Sequence, residues 1–131
     1  MAAPNILALT TATGKTTYLT PSGTTAVVLL TNAASSGKVL KVNSLVVSNV
    51  DGTNAVDCTI SIYTNGGVAQ GSAPSGGTAY PIVSTVSVPA DASLIVIDKT
   101  TQIYLEENVC ISVTSGTASK LTYSVSYEEL S

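Results

Sequence analysis

Four aspartates, four glutamates, two cysteines, five lysines and six tyrosines are the side chains in this chain whose chemistry could go beyond packing. The glutamates fall as two adjacent pairs, Glu106-Glu107 and Glu128-Glu129. Glycoside hydrolysis needs two carboxylates facing one cleft across roughly 5–10 Å. Neighbouring residues of a strand point to opposite faces, so neither pair does this alone. The simpler expectation is a solvated or lysine-paired acidic edge. Cys58 and Cys110 lie far apart, and the chain has no histidine to complete a zinc site around them. They read as buried free thiols, with a cross-strand disulfide as the alternative. Gly14-Lys15-Thr16 resembles the end of a phosphate-binding loop, but the pattern needs a glycine five positions earlier, where Leu9 stands. Asp51-Gly52-Thr53-Asn54 with Asp57 offers oxygen ligands at a spacing that departs from the EF-hand, and turn chemistry accounts for it.

What is missing weighs as much as what is present. Arginine, histidine, phenylalanine and tryptophan are absent, while serine and threonine supply 36 of 131 residues. Without histidine, neither a serine nor a thiol has its usual base. The expectation is a non-enzymatic chain with no cofactor and no metal. The net charge is −3 and the five lysines are scattered, so no basic patch exists for nucleic acid. Only 10% of residues are charged. A surface so poor in charge is unusual for a free monomer and suits one covered by partners. The first fourteen residues carry no lysine or arginine, unlike a secretory leader. The apolar run Ala26 to Leu30 is far too short to span a bilayer. Synthesis in the cytosol and no membrane partner are expected.

The elements that must carry these residues read as strands. Val56 to Tyr63 alternates with period two: Val56, Cys58, Ile60 and Ile62 on one face, Asp57, Thr59, Ser61 and Tyr63 on the other. Val109, Ile111 and Val113 repeat the pattern, which places Cys110 on the polar face unless a bulge near Asn108 shifts it. Leu121, Tyr123, Val125 and Tyr127 make a third such strand. Val39 to Val50 is long, and Leu45-Val46-Val47 breaks its alternation, implying a bulge or burial on both faces. Ala26 to Thr31, Ile82 to Val88 and Leu94 to Ile97 complete the sheet, with Ile6 to Thr11 and Lys15 to Thr20 as weaker strands. Turn signals recur every 8–12 residues, and no helix is expected. Together these predict an all-β, antiparallel β-sandwich, jelly-roll or Ig-like, of about eight strands. Residues 1–22 would be an N-terminal arm or edge strands, and residues 23–131 the sandwich. The predicted core is Leu45, Val47, Val56, Cys58, Ile60, Ile62, Leu94, Val96, Ile111, Val113, Leu121, Tyr123 and Val125.

One stretch stands apart. Residues 65–78 hold Gly66, Gly67, Gly71, Gly76 and Gly77 and show no periodicity. They read as a long exposed loop, either a contact element or a surface insertion. The candidate partner contacts are therefore Asn65, Gly66, Gly67 and Gln70 in this loop, with Tyr63 and Tyr18 as tyrosines on polar faces.

Several segments carry a family likeness: Met1 to Ile6, Lys41 to Leu45, Ser48 to Ala55, Val88 to Asp91, Ile103 to Glu107 and Ser126 to Glu129. In these the chain resembles small virion structural proteins of tailed phages of marine bacteria, notably cyanophages. The likeness spans most of the chain, and residues 65–78 look longer than the matching part of that family. It implies a capsid decoration or cement protein on the major capsid protein lattice. Such a protein would be a homo-oligomer, trimer or dimer, residing in the virion and assembled in the host cytoplasm. A neck, tail or fibre-base component is the nearest alternative. A carbohydrate-binding module for host attachment is an alternative of another class.

Overall fold

The computed structural model describes residues 4–131, so the Met1-Ala2-Ala3 part of the likeness lies outside the described residues. Nine strands form two antiparallel sheets: β1 (Ala12–Leu19), β2 (Val27–Asn32), β3 (Val39–Asn49), β4 (Val56–Tyr63), β5 (Ala79–Val88), β6 (Ser93–Ile97), β7 (Ile103–Leu105), β8 (Val109–Ser115) and β9 (Leu121–Leu130). One sheet runs β1-β9-β3-β6, with the short β7 also pairing with β3, and the other runs β2-β8-β4-β5. The described residues contain no helix.

The strand order decides between the two sandwich types. β4 pairs with β5, β3 with β6, β2 with β8 and β1 with β9, all antiparallel. This is one long doubled ribbon rolled onto itself, the jelly roll, built from Greek keys. An Ig-like sandwich would keep sequence neighbours side by side in one sheet. The Ig-like option is therefore set aside. The ninth strand, β7, is three residues long and too short for a period to declare itself in sequence. Ile6 to Thr11, expected as a weak strand, forms turns and bends instead. β1 is an edge strand of the five-stranded sheet, so the sandwich takes in residues on both sides of position 22.

Between the sheets lies one core. Leu45, Val47, Val56, Cys58, Ile60, Ile111, Val113, Leu121, Tyr123 and Val125 are buried in it, with Leu29, Leu30, Leu40, Val42, Val88, Ile97 and Leu105. Leu94 and Val96 pack against it half-buried. Ile62 departs from expectation: it is half-buried and stands outside the cluster. Its neighbour on β5 is Tyr80, itself 59% exposed, so the cover stops short there. The irregularity at Leu45-Val46 is a register shift against β6. Tyr123 is the largest fully buried side chain, and its hydroxyl meets Ser115 Oγ at 3.0 Å and donates to the Thr114 carbonyl at 3.1 Å. A buried phenol needs such partners.

Candidate contact surface

Residues 65–78 are mostly exposed and contain no strand, as expected, but they are seated on the sheet at several points. They form a strap across the outer face of the four-stranded sheet. Tyr63, Val28 and Cys110 face away from the main core and make a second, smaller cluster, with Val68 of the strap packed on it. The strap reaches the edge of β2, where the Val28 N–H donates to the Ser72 carbonyl at 2.9 Å and the Gly71 N–H to the Val28 carbonyl at 2.8 Å. Gln70 continues to β1: its Nε2 donates to Thr17 Oγ1 at 2.9 Å and to the Tyr18 carbonyl at 3.4 Å.

The glycines allow this approach. A Cβ on Gly66 would run into the backbone of Asn32, Asn108 and Val109. The Gly66 carbonyl accepts from Thr31 Oγ1 at 2.6 Å, and its N–H donates to Asn108 Oδ1 at 3.2 Å. A Cβ on Gly77 would crowd the side chains of Tyr63 and Thr64, less severely, and its N–H donates to the Tyr63 hydroxyl at 2.9 Å. Close approach to other strands, rather than freedom of the loop, is the use made of these glycines.

The six candidate contacts separate accordingly. Tyr63 does face away from the core, as its register predicts, but the strap leaves it 9% exposed. It is therefore corrected from a surface ring to a strap anchor. Gly66 is buried as well, and Asn65 is half-buried, with its Nδ2 donating to the Ser75 carbonyl at 2.7 Å. Gly67 and Gln70 are exposed, and Tyr18 is 71% exposed. The strap brings Gln70 beside Tyr18, a juxtaposition across 52 residues that no local pattern announces.

The chemically suggestive residues take structural places. Cys58 lies in the main core and Cys110 in the strap cluster, on opposite faces of their sheet, and both are free thiols. Lys15 belongs to β1, with no loop around it for a phosphate, and pairs with Glu129 at 3.1 Å. Lys38 pairs with the same carboxylate at 2.7 Å, which makes this the lysine-paired acidic edge expected above. Asp51 Oδ1 accepts the N–H groups of Thr53 and Asn54, the turn chemistry its sequence suggested. Among the described residues no group of three acids or cysteines gathers as a metal site. A pattern missed in sequence is Ser35-x-x-Lys38, a nucleophile–base spacing. Ser35 sits in a turn with φ 58°, and the Lys38 ammonium is committed to Glu129, so the pair is not assembled for catalysis.

Where the segment after β6 crosses to β7, the outer face of the five-stranded sheet holds an open groove of about 710 Å³. Lys41, Lys99, Asp98 and Glu128 line it with Asn43 and Ile95, two charges of each sign. Gln102 Nε2 donates to Asn43 Oδ1 at 2.8 Å across it.

Titration should reflect these environments. Lys38 and Lys15 hold Glu129 below the usual carboxylate range, and backbone or threonine donors do the same for Asp51 and Asp98. Stability from depressed carboxylates is present above their unfolded values near 4 and lost as pH falls through the folded ones. Burial pushes Cys110 up to about 11, Tyr123 up to about 12, and Cys58 upward. Their stabilisation is present below the unfolded values of 9.0 and 10.0 and lost as pH rises through the folded ones. The chain has no histidine, the side chain whose ordinary value lies between these two ranges. The urea midpoint should therefore be flat from about pH 6 to 8 and fall on both sides. A step inside that window would contradict these assignments.

The chain matches no protein-family model and no curated protein sequence.

Proposed function

We propose that this protein is a non-enzymatic virion structural protein of a tailed phage, decorating or cementing the head through the major capsid protein lattice. The observation that carries the reading, beside the family likeness, is the distribution of charge. Residues 58–90 hold no charged side chain, yet they supply all of β5, most of β4 and the whole strap. Much of β5 is exposed. Such a surface is suited to burial against neighbours and ill suited to life alone in water. The jelly roll adds fold-level support, since viral capsid and lectin domains use it, though a fold does not by itself fix a function. A rigid scaffold contacting many repeated sites can hold by avidity where each contact is weak.

Mass spectrometry of purified particles is expected to find the chain in hundreds of copies per virion. Six or twelve copies would move it to the neck, tail or fibre base. Its absence from particles would end the virion reading. For the carbohydrate-binding alternative, which would use exposed tyrosines and the glycine-rich loop, Tyr63 is buried while Tyr18 stays 71% exposed.

A further inference from the structure

The two open sides of the sandwich are finished differently. On one side lie the edges of β1 and β2. The strap hydrogen-bonds along β2 at Val28, Gln70 covers the carbonyl of Tyr18, and β1 carries Lys15. These are the covers and charges that keep a sheet edge from pairing with strangers. On the other side lie the edges of β5 and β6. Neither strand contains a charged residue. Tyr80, Ile82 and Val86 of β5 and Ile95 of β6 are exposed, Ile95 by 65%. Among the described residues, no segment pairs with the free edge of β5.

We propose that this β5–β6 side is the docking face for a second copy of the same chain. Charge placement favours that occupant. The four-stranded sheet with its strap carries a single charged residue, Asp57. Lys15, Lys38 and Glu129 lie towards β1 and β9, while the groove beside Ile95 holds Lys41 and Lys99 against Asp98 and Glu128, two of each sign, so the charges at the β6 flank cancel. Two copies meeting through β5 and β6 bring neutral apolar strips together, although each body carries −3. A self-complementary patch is what a two-fold dimer needs. The size comes close to what such a dimer needs. Ten residues of β5 extend about 33 Å, and the wall of a two-sheet sandwich is about 20 Å deep with its side chains. That approaches the roughly 800 Å² per partner of a stable interface.

The backbone limits how the copies join. Pro81 lacks an N–H, and β5 shifts register twice against β4, near a Thr85 held at φ 46°. A β-branched residue in that region is a genuine outlier, and bulges of this kind blunt continuous strand pairing. The contact is therefore made mainly by side chains, with at most a short backbone ladder.

The inference concerns the isolated chain and stands or falls apart from the virion reading. Sedimentation velocity on the purified chain at about 100 μM, in the micromolar range where modest interfaces associate, is expected to give at least twice the 13.2 kDa of one copy. Ile82→Lys with Val86→Lys should return it to the monomer, because like charges would face each other, while circular dichroism keeps the all-β spectrum and melting stays cooperative but loses its dependence on protein concentration. Ile95→Lys, on a more exposed site, should weaken association by itself. Thr16→Lys, exposed on β1, should leave the oligomer intact. A wild-type monomer would overturn the proposal. So would lysine variants of β5 and β6 that remain associated, or an oligomer dissolved by Thr16→Lys alone.

Discussion

Gly66→Ala is expected to lower stability by about 3 kcal/mol, the upper part of the range for overpacking. The added methyl would meet main-chain atoms of Asn32, Asn108 and Val109, which cannot rotate aside as a side chain could. Relief requires lifting the strap. That loses the Thr31 and Asn108 hydrogen bonds to Gly66 and uncovers Tyr63, Val28 and Cys110. With a urea m-value of about 1–3 kcal/mol/M, the midpoint should fall by about 1–3 M. Gly23→Ala is the control, because nothing lies within 4 Å of its Cβ. It should change stability by less than about 0.5 kcal/mol. Equal effects at the two positions would mean that the strap is not seated on its sheet.

The second large effect belongs to the core. Leu45→Ala should cost about 3–4 kcal/mol, the transfer energy of the lost methyls plus the cavity they leave. Leu45 is fully buried at the middle of β3, opposite Ile97 on β6 and Val125 on β9. Those neighbours are held by two ladders at once, so the site has little room to collapse. Against a typical total of 5–15 kcal/mol, the loss is large. Val50→Ala, at a residue 57% exposed just past the end of the same strand, should be close to neutral. Equilibrium urea unfolding of both variants distinguishes a core centred on β3 from a looser one: a cost below about 1 kcal/mol at Leu45 would contradict it.

Most of the sandwich was legible because its signal is local. In β4 the alternation of Val56, Cys58 and Ile60 is written in adjacent residues, and the strand's bounds follow from it. The opposite facing of Cys58 and Cys110 was legible for the same reason. The strap was not. Gly66 is required by Asn32, Asn108 and Val109, which reach it only once three strands are in place. A glycine that permits contact and a glycine that permits motion look alike in sequence. Tyr63 shows where parity stops: it predicts which way a ring points but not what lies over it. The jelly-roll order was likewise hidden, since strand patterns fix neither partners nor wrapping. Only the pairings of β1 with β9 and β2 with β8 decide it.

The rolled ribbon also imposes an order in time. Ala12 pairs with Leu130, and the ladder between β1 and β9 runs the full length of β1. At roughly 5–20 residues per second of synthesis, β1 waits roughly 6–24 s for its partner to be made. Meanwhile β3 has neither β9 nor β6 beside it for part of that interval. Pairings so remote in sequence are also slow to close once the chain is free. The five-stranded sheet is thus completed only once β9 has been made, and a nascent chain halted before it would leave β1 and one flank of β3 without their shared partner.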